Sequence, residues 1–110
     1  MEGLTLKDIS DIDLSVIADV SQCEIERCWN FYFSLNEAVL SEQKRRKMNK
    51  KSSINFILPC LTGKELDNAI IETFVRRDAF DLLGSKNSGN FFQNIAEQLI
   101  QKRKQQKTKH

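Results

Sequence analysis

The 110-residue chain is poor in the residues that carry most enzyme chemistry. It has one histidine, His110, which is the last residue, and no His-based triad can be built from it. No glycine-rich fingerprint opens a helix: the Gly63-Lys64 pair would need a glycine five residues earlier to make a phosphate loop, and Leu58 stands there. Cysteine is limited to Cys23, Cys28 and Cys60, an odd number that argues against a disulfide framework and for reduced thiols packed in or near the core. Cys23 and Cys28 point about 140° apart on a helix, so they do not converge on a metal. The close carboxylate pairs, Asp11 with Asp13 and Glu24 with Glu26, are two residues apart and diverge on a helix. The expectation is a non-enzyme with no catalytic residue, no metal site and no cofactor. Apolar runs long enough to span a bilayer are also missing, and MEGLTLKD has neither the basic nor the apolar part of a signal peptide. A cytoplasmic protein without a membrane partner is expected.

Helix breakers are scarce as well, with one proline and four glycines, while hydrophobic residues make up 40% and charged residues 29% of the chain, as in a folded helical protein. The expected class is all-α: N-terminal amphipathic helices for dimerisation, then a compact helical, helix-turn-helix-like C-terminal part. Leu6, Ile9, Ile12, Val16, Ile17 and Val20 recur at helical spacing and predict a helix over residues 5–20. Ser21 and Glu24 form a capping-box pair with Val20 and Ile25 as staple, which marks either a second helix start or a serine inside one continuous helix with its hydroxyl turned to water. The segment CWNFYFSLNEAVL carries more apolar surface than one buried stripe needs, so part of it should face another chain. INFIL is too short to assign to helix or strand. Thr62 and Glu65 repeat the capping box, with Leu61 and Leu66 as staple, and predict a helix over 63–77 with Leu66, Ile70, Phe74 and Val75 buried. AFDLL reads as a separate short piece and SKNSGN as a turn by composition. A final helix capped by Ser88 or Asn90 would bury Phe91, Phe92, Ile95, Leu99 and Ile100 and lead into a solvated basic tail. The implied division is an acidic helical dimerisation region (1–50), a helical DNA-contacting region (51–101) and a tail (102–110).

Charge is the least evenly spread property. Residues 1–43 hold nine acids and two bases, a net −7, whereas residues 44–110 hold six acids and fifteen bases, a net +9. Phosphate binding needs clustered Lys and Arg, and the second part offers Lys44 to Lys51, Arg76 with Arg77, and Lys102 to Lys109. Around SKNSGN, small donors and amides accompany the bases. A DNA-contacting set of Arg76, Arg77, Lys86, Asn87, Asn90, Lys102 and Arg103 is expected, with affinity that falls as salt rises. Leu6, Ile9, Ile12, Val16, Trp29, Phe31 and Tyr32 form the expected self-association surface.

LKDISDIDLSVIAD, residues 6–19, resembles the N-terminal helix of the FlhD family of transcription-activator subunits. INFILPCLT, followed by a helix over Glu65 to Phe74, is similar to the family's entry into its DNA-contacting helices. The resemblance implies a homodimer that joins an FlhC-like, zinc-containing partner subunit to switch on flagellar or conjugative-transfer genes. Any zinc would belong to that partner. The rival reading is a helical adaptor or secretion chaperone that holds another protein on its aromatic surface, with the bases serving solubility.

Overall fold

The computed structural model describes residues 4–108, with side chains described as far as Gln106. Helix accounts for 74% of the described residues, so the class is all-α with one small ribbon. The backbone divides into two compact units, Met1–Pro59 and Cys60–His110. Each is built on an antiparallel pair of helices.

In the first unit, β1 (Leu4–Thr5) pairs antiparallel with β2 (Asn55–Phe56), Leu4 opposite Phe56. Leu6 N–H extends the pairing by donating to the Ile54 carbonyl at 3.0 Å. Residues 5–9 are therefore not helical, contrary to the reading from periodicity. The first helix, α1 (Asp11–Cys23), starts only where Ser10 caps it, its Oγ accepting the Asp13 N–H at 3.1 Å. Asp11 and Asp13 in that first turn suit the positive end of the helix dipole. With the start moved, the buried face becomes Leu14, Ile17, Ala18 and Ser21, and Ile12 and Val16 turn outward.

Ser21 caps nothing. It lies inside α1 with its hydroxyl buried, donating to the Ala18 carbonyl at 2.9 Å and accepting from Asn36 Nδ2 at 2.9 Å. The capping-box pattern misled because a buried polar partner on the next helix satisfies the hydroxyl, which is neither a cap nor turned to water. The chain leaves α1 through a 3-10 turn at Ile25–Arg27 and enters α2 (Trp29–Lys47). Ser15 and Gln43, Ala18 and Asn36, and Asp11 and Arg46 face each other, which fixes α1 and α2 antiparallel. Phe31, Tyr32, Leu35 and Val39 pack inward with Phe56 of the ribbon, whose ring meets Phe31 edge-on at 6.0 Å.

In the second unit, α3 (Gly63–Leu82) is longer than expected and absorbs AFDLL up to Leu82, with Leu83 as its C-cap. Thr62 stands at the N-cap with extended backbone but without a side-chain hydrogen bond, and Gly63 follows it at φ 59°. Leu66, Ala69, Ile70, Thr73 and Phe80 form the buried face, while Val75, expected inside, is exposed and Phe74 is half-buried. The helix stops at a Schellman turn: Ser85 N–H donates to the Phe80 carbonyl at 2.9 Å and Gly84 N–H to the Asp81 carbonyl at 3.1 Å, with Gly84 at φ 80°. No atom would obstruct a Cβ at Gly84, so the cost of a side chain there is backbone strain alone. Gly84→Ala should destabilise the second unit by roughly 1 kcal/mol, read as a lower midpoint in thermal or urea unfolding.

SKNSGN is not a loop. Lys86 to Asn90 form the opening of α4 (Lys86–Thr108), and Ser85, not Ser88 or Asn90, precedes it; Ser88 is buried. Turn-forming composition is overridden because Phe91, Phe92, Ile95, Ala96 and Leu99 must be presented on one face against α3. Phe92 stacks on Phe80 at 5.7 Å and meets Phe91 edge-on at 5.4 Å. Helix continues through residues read as a tail, and Gln106 Nε2 donates to the Leu61 carbonyl at 3.0 Å; Lys109 and His110 lie outside the described residues. Contacts from Phe80–Phe92 to Leu61–Gln106 run the length of both helices, so α3 and α4 lie antiparallel side by side as an αα-hairpin.

Candidate nucleic-acid and assembly surfaces

Much of the expected positive surface is consumed inside the molecule. Glu42 on α2 is fully buried and accepts hydrogen bonds from Arg45 Nε (3.0 Å) and Nη2 (2.7 Å), Arg46 Nε (2.7 Å), the Ile54 N–H (2.9 Å) and Ser53 Oγ (3.3 Å). Arg46 reaches further, to Asp11 Oδ1 at 2.6 Å and to the Leu6 carbonyl at 3.1 Å, and Arg45 donates to the Lys50 carbonyl. Two of the six bases in KRRKMNKK therefore fasten α2 to the β ribbon and to the start of α1. Burial alone would push the Glu42 carboxyl up; the Arg45 guanidinium, the Ile54 N–H and Arg46 overcome it and hold the group at about 2, against an ordinary 4.5. The signal was legible: a glutamate followed by arginines three and four residues on is the helical ion-pair spacing. What the sequence did not disclose is that the pair is buried and shared with the ribbon.

The second unit repeats the pattern. Arg77 Nη1 donates to Gln93 Oε1 at 2.7 Å, its Nε and Nη2 donate to Asp78 Oδ1, and its guanidinium lies 4.8 Å from the Phe74 ring centroid. It ties α3 to α4. Arg76 is half-buried beside Glu72, 4.0 Å away, with its Nε buried and without a hydrogen-bond partner. Arg103 pairs with Asp67 at 3.1 Å. Of the expected DNA-contacting residues, Lys86, Asn87 and Asn90 are exposed together in the opening turns of α4, and Lys102 is half-exposed near its other end. Lys86 and Lys102 are about 24 Å apart along the helix, so they belong to two separate places on it.

The expected self-association set divides as sharply. Leu6, Ile9, Phe31 and Tyr32 are core residues of the first unit and have no surface to offer. Leu6 and Ile9 lie before α1, beside the ribbon that helical spacing does not disclose, and Phe31 and Tyr32 lie on the face of α2 that the ribbon covers, which looks like the outer face in sequence. Ile12, Val16 and Trp29 are exposed, Ile12 by 77% and Trp29 by 58%. Two residues outside the expected set join them on α2: Phe33, 46% exposed and stacked on Trp29 at 5.9 Å and 13°, and Leu40, 43% exposed. Trp29, Phe33 and Leu40 are spaced by four and seven, one continuous stripe. On α3, Ile71, Val75 and Leu82 make a second exposed stripe opposite the face that meets α4.

The thiols depart from expectation. Cys28 is buried, but Cys23 and Cys60 are exposed, because Cys23 ends α1 on its outward side and Cys60 lies in the stretch before α3. Among the described residues no three His, Cys, Asp or Glu side chains converge as a metal site, and no helix is long and apolar enough to cross a membrane. No protein-family model, no curated protein and no solved structure matches the chain.

Proposed function

We propose that the chain is a DNA-binding regulatory subunit of the kind its FlhD resemblance implies, working in an assembly with itself and an FlhC-like partner. The observation that carries this reading is the exposed Lys86, Asn87 and Asn90 cluster in the opening turns of α4, where a base and two amides lie together at the positive end of a helix. Arg76, Arg77 and Arg103 drop to a supporting role because their guanidinium groups serve α3 and α4. The resemblance itself is carried by fewer residues in helical form than the sequence implied, since residues 6–10 precede α1.

A gel-shift titration across a salt series tests it. DNA affinity should fall steeply with salt, and Lys86→Ala should weaken binding and reduce the log–log salt slope by about 1. A flat salt response, or a Lys86→Ala protein with the wild-type slope, sinks the reading.

The adaptor reading is favoured by a different observation, the Trp29–Phe33 stack exposed on α2. It calls for capture of another protein that Trp29→Ala abolishes and Lys86→Ala leaves intact, the reverse of the DNA pattern.

A further inference from the structure

We propose that the outer stripe of α2 pairs with the same stripe of a second copy, antiparallel, about a two-fold axis between Glu37 and Leu40. This deepens the assembly part of the proposed function and rests on it, not on the DNA contact.

The stripe reads Trp29, Phe33, Glu37, Leu40, Lys44, Lys47 at intervals of three and four, and every member is exposed. It covers about 27 Å of helix. Its character changes along that length: one end is aromatic and bordered by the exposed acid Glu26, and the other is basic, with Lys44, Lys47, Lys50 and Lys51 and the exposed Met48. A parallel pairing would set Lys44 against Lys44 and Lys47 against Lys47. An antiparallel pairing sets Phe33 against the partner's Lys44, Trp29 against the partner's Lys47 and Met48, Glu37 beside the partner's Leu40 and Lys44, and Glu26 near the partner's Lys50. Every such contact occurs twice, as an isologous interface requires. Lysine over an indole or phenyl face and methionine against tryptophan are favourable in their own right, and the aromatic rings leave water. The charge gradient of the stripe is thus complementary to itself when reversed, which singles out a second copy as the occupant of an otherwise unpartnered apolar face.

The test uses the full chain and charge reversal. One variant carries Lys44→Glu and Lys50→Glu, the other Glu26→Lys and Glu37→Lys; all four positions are exposed, and circular dichroism checks that both remain folded. Sedimentation equilibrium should give the wild type a mass approaching twice 12.7 kDa as concentration rises, with a blue shift in the emission of the single tryptophan, Trp29. Each variant alone should remain monomeric, and an equimolar mixture should regain the dimer. A wild type that stays monomeric at its highest soluble concentration, a dimer indifferent to both variants, or a mixture that fails to pair overturns the proposal. Dimerisation that persists while the Lys86→Ala protein keeps the wild-type gel-shift salt slope would remove the DNA reading and leave this one standing.

Discussion

Glu42→Gln is expected to be the most damaging single substitution on the polar side of the molecule, costing the first unit about 3 kcal/mol and on the order of 12 °C in Tm. The amide keeps the volume of the carboxylate but loses its charge, and one of its two acceptor positions becomes a donor facing arginine. Arg45 and Arg46 are then left half-buried around a neutral group, and the Ile54 N–H and Ser53 hydroxyl compete for one oxygen. The same centre sets an acid limit. Because the folded carboxyl is held at about 2 against 4.5 when unfolded, its stabilisation is complete above pH 4.5 and disappears as pH falls through the interval down to 2. Wild-type urea midpoints should therefore drop between pH 5 and pH 2 by an amount approaching that of Glu42→Gln at neutral pH, and the variant should show a much shallower drop. Parallel pH profiles for the two proteins would place the acid sensitivity elsewhere.

How far the sequence could be read depends on whether a feature is local. The all-α class, α3 and the inner face of α4 follow from spacing, and they are present because each is decided within a few turns of one helix. The features missed are decided across the chain. Residues 4–6 leave the helical periodicity because a strand fifty residues later pairs with them. Ser21 loses its capping role to Asn36, and Lys86 to Asn90 lose their loop character to the phenylalanines that follow. The candidate sites show the same division. Lys86, Asn87 and Asn90 were found by composition and are exposed, while Arg76, Arg77 and Arg103 were found by the same rule and are engaged by Asp, Glu and Gln side chains that only folding brings near.

Charge shows what this means for function. The sequence divides at residue 43 into −7 and +9, but the structural units divide at Pro59, where the first holds nine acids and eight bases and the second six acids and nine bases. Net charges become −1 and +3. The basic run folds back as the end of α2, and two of its arginines neutralise Glu42 and Asp11. What remains outward on α2 is a helix with a lysine end and an acid-bordered aromatic end, the asymmetry that antiparallel self-pairing uses.

Phe31 and Trp29, two residues apart on α2, should respond in opposite ways to the same substitution. Phe31 is fully buried, 5.3 Å from the Tyr32 ring and edge-on to Phe56, so Phe31→Ala leaves a void between helix and ribbon and should cost roughly 3–5 kcal/mol. In a unit this small that is most of the available stability. The expected result is loss of the first unit's cooperative unfolding transition while the transition from α3 and α4 persists, seen as a single remaining step of reduced amplitude in thermal melts followed by circular dichroism. Trp29→Ala removes a ring that is mostly in water and should cost under about 1 kcal/mol, chiefly its stack on Phe33. Its effect should fall on association, with monomer at concentrations where the wild type pairs. If Trp29→Ala instead unfolded the unit and Phe31→Ala spared it, the division of α2 into an inner and an outer aromatic face would be wrong. The opposite outcome, stability lost at one position and pairing at the other, would separate the two jobs that one apolar segment performs.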